Sequence, residues 1–186
     1  VLTTRCTMSS DTKKSYLSRI LEMPSDQALD PKHFRSVMGH FPTGVVVVAG
    51  ASSTGELAGM TIGSFVSVSL EPPLVGFFIG SGSPSWKKIA ESGKFCASVL
   101  SVEQEAWCWR FAKESEARFD GVPYTRGMNG SPRLDGSVAW IECDVHQVTA
   151  AGDHDFVLGH VTTLEASTQS AGAMTFYRGA IGGTTR

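Results

Sequence analysis

Charge is scarce and balanced in this chain of 186 residues: 18% are charged, and sixteen basic against eighteen acidic side chains leave a formal net charge of -2. Nucleic-acid binding wants a broad positive field, so that class of function is excluded. Lysine and arginine are absent from Ser36 to Trp86. Long apolar runs are also missing. Val45 to Ala49, five residues between glycines, is the longest, whereas a membrane helix needs roughly 18. The four cysteines, Cys6, Cys96, Cys108 and Cys143, form no CxxC pair, which removes zinc-ribbon and dithiol motifs and points to reduced thiols. Without a basic patch ahead of an apolar segment there is no signal-peptide pattern, so the expected location is cytoplasmic. GxSxG, HExxH, GxGxxG and the P-loop are absent, as are internal repeats. A composition that is 41% hydrophobic nevertheless supplies a real core and rules out a disordered chain.

Residues 1–29 are polar and mixed in charge and read as a flexible leader, within which Met23 is an alternative start. The domain is expected over 30–186. Asp30-Pro31 suits a helix start, with Phe34, Val37 and Met38 on one face. Val45 to Ala49 reads as a buried strand, Leu57 to Leu70 as one long extended segment, and Leu74 to Ile79 as a further strand after Pro72-Pro73. Ser83-Pro84 opens a second helix that Gly93 closes. Phe95 to Leu100 is a strand, and Ser101 with Gln104 forms a capping box before a third helix that runs to about Ser115. Val138 to Val148 and Phe156 to Leu164 pair across a turn, and Thr175 to Ile181 ends the chain as a strand. Strands that predominate without alternating with long helices favour a mainly β, antiparallel barrel with a few short inserted helices.

Four segments carry chemistry. In GMTIGSFVSVSLEPPLV (59–75), period two puts Met60, Ile62, Val66, Val68 and Leu70 on a core face, with Ser64 among them. Thr61, Gly63, Phe65, Ser67 and Ser69 form the opposite strip, and glycine in mid-strand marks a bulge or the close approach of a flat ligand. In GSGSPSWKKIA (80–90), a Gly-Ser loop enters a capped helix with Lys87 and Lys88 one turn in, which fits either a phosphate or a solvated surface helix. Gly152-Asp153-His154-Asp155 places an imidazole between carboxylates at a hairpin tip, as a base, a substrate contact or a solvated turn. A metal set from Asp144, His146, His154 and His160 lacks a tight ligand spacing, so no metal is expected. Phe176-Tyr177-Arg178-Gly179 offers a ring and a cation, or core plus a surface arginine.

FPTGVVVVAG, GMTIGSFVSVSLEPPLVGF, SWKKIAESGKFCASVL, RFDGVPY, GDHDFVLGHV and FYRG, in this order, resemble the flavin reductase-like family of FMN-binding split barrels over about 34–182. The similarity is strongest to the reductase component of two-component flavin-dependent monooxygenases. It implies an antiparallel split β-barrel that acts as a homodimer with FAD or FMN and with NADH or NADPH. Reduced flavin would go to a partner monooxygenase, with no nucleic acid or membrane involved. By resemblance Thr61, Gly63, Ser64 and Phe65 contact the flavin, with Ser67 and Ser69 on the same strip. Ser83, Ser85, Trp86 and Lys87 match the segment that receives the phosphate. Phe119 lies near the ring, Tyr177 and Arg178 line the site, and His154 is the catalytic-site histidine tied to the nicotinamide nucleotide. Many relatives have Ala-Asn-Ser where this chain has Ile62-Gly63-Ser64, so an asparagine contact must be replaced by backbone or water. Rival readings are a non-catalytic flavin- or haem-binding protein on the same barrel, and an oxidase of a pyridoxine phosphate, which wants a denser basic site than Lys87 and Lys88.

Overall fold

The computed structural model describes residues 29–113, 115–168 and 172–184. Apart from Leu29, the expected leader lies outside them. Helix α1 (Pro31–Met38) starts where Asp30-Pro31 indicated, with the Asp30 carboxylate accepting from Lys32 N–H at 3.1 Å. It belongs to the first of two compact units, residues 1–38; the second spans Gly39–Arg186.

In the second unit the chain runs through β1 (Thr43–Gly44), β2 (Val46–Ala51), β3 (Leu57–Ile62), β4 (Val66–Leu70), β5 (Pro73–Gly80), α2 (Pro84–Ser92) and β6 (Lys94–Val99). A 3-10 turn, Val102–Gln104, leads into α3 (Glu105–Ala112), and a second, Glu116–Phe119, leads to β7 (Tyr124–Arg126) and β8 (Pro132–Leu134). The long hairpin β9 (Ala139–Ala151) and β10 (His154–Ala166) follows, then β11 (Met174–Tyr177) and β12 (Ala180–Gly183). Seven strands make one antiparallel sheet in the order β3-β2-β6-β9-β10-β5-β4, flanked by β1-β11-β12 and the β7-β8 hairpin. This is the mainly β, antiparallel architecture with short inserted helices that the sequence led us to expect.

The unbroken run Val45 to Ala49 is apolar throughout because it is buried on both faces. Val46 and Val48 join Phe77, Trp86, Ile89 and Phe95 in one cluster. Val45, Val47 and Ala49 join Leu100, Phe111, Leu134 and Met174 in the other. Phe77 stands edge-on to both Trp86 and Phe95, with ring centroids 5.7 and 5.5 Å apart, a preferred aromatic geometry. Glu142, also buried, accepts from Asn129 N–H at 2.8 Å and so ties the β7-β8 loop to the sheet.

The segment 57–70 departs most from its expected form. It is two strands at opposite edges of the sheet, and residues 63–65 carry the chain across the seam between them. Ser64 closes that seam: its Oγ accepts from Phe78 N–H at 2.9 Å and donates to Phe78 C=O at 3.2 Å. Met60 and Ile62 are core, as the alternation implied, whereas Val66, Val68 and Leu70 are exposed. Period two holds only while the chain keeps one place in a sheet, and here the place changes at Gly63.

Smaller differences have local causes. Helix α3 stops at Ala112, short of Ser115, whose side chain instead caps the next 3-10 turn by accepting from Ala117 N–H. The β9-β10 strands extend to a two-residue turn, with Ala151 opposite His154. The last expected strand is a hairpin, β11-β12, turning at Arg178-Gly179.

Candidate functional site

The site is organised by the end of β5. Phe78 is bonded by Ser64, and two residues on, Gly80 pairs with His154 of β10. The seam at Gly63-Ser64, the turn that follows Gly80 and the β9-β10 tip therefore meet on neighbouring rungs of one strand.

Each piece has a local reason for its shape. Ser83 N–H donates to Gly80 C=O at 2.9 Å and closes the turn. Ser83 Oγ then caps α2 by accepting from Trp86 N–H at 3.2 Å, Pro84 fills the first helical position, and Gly93 ends the helix at φ 67°. The tip needs a glycine: Gly152, at φ 70°, is the first of only two residues between paired Ala151 and His154, where a tight hairpin turn demands positive φ. Ser81 joins turn to tip, its N–H donating to Asp153 C=O at 3.2 Å and its Oγ to Asp155 Oδ1 at 3.4 Å. His154 Nδ1 lies 2.7 Å from Asp153 Oδ1.

The floor is bare backbone. A Cβ on Gly80 or Gly82 would meet nothing within 4 Å, and one on Gly63 would lie 3.1 Å from Thr43 Oγ1. Thr43 also pairs with Phe176, which brings in the β11-β12 hairpin and its turn at Tyr177 and Arg178. That turn is tethered by Arg178 N–H to Gly39 C=O at 3.0 Å, and the Tyr177 ring stands edge-on to His40 at 6.3 Å. Thr43, Ser81, Asp153 and Asp155 were absent from the expected set. Ser81 and both aspartates lie inside motifs already singled out, but Thr43 follows only from contact with Gly63.

The expected residues divide. Gly63, Ser64, Ser83, His154, Tyr177 and Arg178 fall along these converging segments. Thr61 adjoins them, but its hydroxyl is donated to Cys108 C=O at 2.7 Å. Phe65 is packed partly into the first cluster. Ser67 pairs with Val75 and Ser69 with Leu74 across a bulge; those β5 residues are consecutive, so the two serines lie on opposite faces rather than on one strip. Lys87 is exposed at the start of α2. Ser85 and Trp86, by contrast, are buried: Ser85 Oγ accepts from Arg118 Nη1, and Trp86 packs on Phe77. Phe119 contacts Phe111, Tyr124 and the Gly59 end of β3 instead of Gly63.

Among the described residues no cysteine offers a thiol nucleophile. Burial pushes Cys96 and Cys143 up to about 12 and raises Cys108 as well, which leaves them as neutral thiols at neutral pH. Glu56 beside Lys88 raises that ammonium's pKa and occupies it, leaving Lys87 as the cation of the pair not engaged by Glu56. His160 faces Asp144 along the β9-β10 ladder, away from His154 at the tip, and no three metal-ligating side chains gather among the described residues. A cavity of about 420 Å³ opens beside Pro84 and Ser85, where Glu56 and Glu116 balance Lys88 and Arg118.

The architecture has counterparts among known proteins. The model of the flavin reductase like domain matches residues 38–185. A flavin reductase of Pseudomonas putida is 49% identical over 156 residues, covering 84% of this chain and 91% of that protein. HsaB, the reductase subunit of a flavin-dependent monooxygenase from Rhodococcus jostii, is 40% identical over 153 residues, covering 82% of this chain and 77% of HsaB. Among solved structures, the Streptomyces globisporus NADH:FAD oxidoreductase SgcE6, in complex with NAD and FAD fragments, aligns with a TM-score of 0.77 at 37% identity, over 86% of this chain and 97% of that one. The chain belongs to the flavin reductase-like family, and its fold is the family's split barrel.

Proposed function

From that membership we propose that the protein is an NAD(P)H:flavin oxidoreductase, which reduces FAD or FMN and supplies the reduced flavin to a partner flavin-dependent monooxygenase. The observation that carries the reading is the meeting of the Gly63-Ser64 backbone, the Gly-Ser turn after Gly80 and the His154 hairpin tip at the end of β5, because hydride transfer needs two flat rings held face to face and no side-chain nucleophile. A bound flavin supplies the hydride acceptor, and a bound reduced nicotinamide the donor.

The chain's own residues bind, orient and exclude. The bare backbone at Gly63 would lie against a ring, and Ser64 holds that backbone in place by clamping the seam to β5. Thr61 and Phe65 flank this surface, Ser67 and Ser69 stand on opposite faces of β4 so that only one of them can turn to it, and Tyr177 and Arg178 reach it through Thr43. Ser83, the open backbone of Gly80 to Gly82 and Lys87 suit the phosphate. Ser85 contributes through its backbone N–H, since its side chain is buried, whereas Trp86, whose N–H is bonded to Ser83 Oγ, holds the helix start in place, and Phe119 supports β3 from the second core. His154 faces the nicotinamide nucleotide from the hairpin tip.

A homodimer belongs to the same proposal. Val66, Val68 and Phe78 are 49%, 46% and 43% exposed on β4 and β5, an apolar face at the sheet edge beside the seam that a second copy would cover. A cytoplasmic location is the accompanying reading, and no helix among the described residues is long and apolar enough to cross a membrane. The deciding experiment is steady-state oxidation of NADH and of NADPH with FAD or FMN added in turn. A rate that rises with added flavin and saturates is expected. Flavin or haem binding without turnover would instead establish the non-catalytic carrier.

A further inference from the structure

We infer that Asp153 is a positioning residue that holds His154 in the tautomer and orientation that receive the nicotinamide nucleotide. This rests on the reading of His154 proposed above. The contact is between His154 Nδ1 and Asp153 Oδ1, 2.7 Å apart. An ionised carboxylate can only accept, so in the neutral imidazole Nδ1 is the donor and the lone pair is left on Nε2. That nitrogen is then an acceptor for the hydroxyl and amide donors of a nicotinamide nucleotide, the ribose hydroxyls and the carboxamide.

The backbone gives this bond a fixed base. Asp153 C=O accepts from Ser81 N–H at 3.2 Å, Asp155 accepts from the Ser81 hydroxyl at 3.4 Å, and His154 itself pairs with Gly80. The carboxylate thus springs from a turn held on both sides. Stability is a poor explanation for it, because the Asp153 and His154 side chains are 95% and 48% exposed and exposed pairs contribute little to folding. What the bond does determine is which ring nitrogen faces outward, and with what.

Two measurements on the full-length protein test this. Side-chain 15N spectra, with His154 assigned from His154→Ala, should show Nδ1 protonated in the wild type but a mixture of tautomers in Asp153→Ala and in Asp153→Asn, whose amide can donate to Nδ1 as well as accept from it. Kinetics at saturating flavin should show the KM for NADH raised roughly three- to tenfold by Asp153→Ala, the span of a single hydrogen bond, with kcat changed less. In a His154→Ala background Asp153→Ala should add nothing. An equal effect of Asp153→Ala without the imidazole, or an unchanged His154 tautomer in that variant, overturns the inference while leaving the role of His154 intact. If His154→Ala alone leaves the KM unchanged, the nucleotide reading of His154 fails and the inference falls with it.

Discussion

Ser64 bonds both backbone groups of Phe78, accepting at 2.9 Å and donating at 3.2 Å, and thereby joins the crossing between β3 and β4 to the strand that carries the rest of the site. One hydroxyl links the barrel's seam to the turn after Gly80. Ser64→Ala should cost about 1–2 kcal/mol, two hydrogen bonds' worth, and should weaken flavin binding through the displaced Gly63. Urea unfolding and a flavin titration read the two effects; a change in neither would remove Ser64 from the account.

Gly63 is the second point of control. Its absent Cβ would lie 3.1 Å from Thr43 Oγ1, tight enough to force a small shift. Gly63→Ala should therefore be destabilising by about 1 kcal/mol, as modest overpacking is, and Thr43→Ala should relieve most of that in the double variant. Additive losses in a thermal-unfolding cycle would show that the two do not press on each other.

Arg178 sits at φ 50°, the left-handed region, followed by Gly179 at φ 81°. Side chains pay about 1–2 kcal/mol there, so Arg178→Gly should hold or raise the unfolding temperature while lowering flavin affinity if the guanidinium lines the site. Stability and affinity falling together would mean that the arginine serves the fold.

How much of this was legible beforehand depended on whether the signal was local. Helix α2 was readable from Ser83, Pro84 and Gly93 because caps act within a turn, and the unbroken Val45 to Ala49 run announced a buried strand. The seam was not readable. Alternation continues through Gly63 into Val66, Val68 and Leu70, yet the chain moves there from one edge of the sheet to the other, which only the closure of the sheet determines. The burial of Trp86 was not readable for a related reason: a capped helix start does not say which side chain turns to the core, and Phe77, which packs against it, comes from another strand. Gly152 to Asp155 showed its turn by composition, whereas the pairing of Gly80 with His154 depends on long-range register.

The exposed valines make a prediction about assembly. Val68→Lys puts an ammonium on the face proposed for the second copy, and leaving it unpaired in an apolar interface is costly. Sedimentation should show monomers that bind flavin weakly. A variant that sediments as the wild type and binds flavin normally would place the partner surface elsewhere.

The buried thiols contribute to the alkaline limb of stability. Cys96 and Cys143 ionise at about 12 in the folded protein against an ordinary 9.0, so between those values the unfolded chain binds fewer protons and stability must fall as pH rises. Each thiol contributes a slope of up to about 1.4 kcal/mol per pH unit, and none below the ordinary value. Cys96→Ala should flatten the decline; an unchanged slope would contradict the cause.

The claim beneath all of these is spatial, and a crystal of the protein grown with FAD or FMN and then soaked in NAD⁺ tests it most directly. The account predicts the flavin ring against Gly63 and Ser64, its phosphate at the Gly80 to Ser83 turn, and the nicotinamide nucleotide in contact with His154. Flavin lodged in the cavity beside Arg118, with the surface over Gly63 bare, would contradict it.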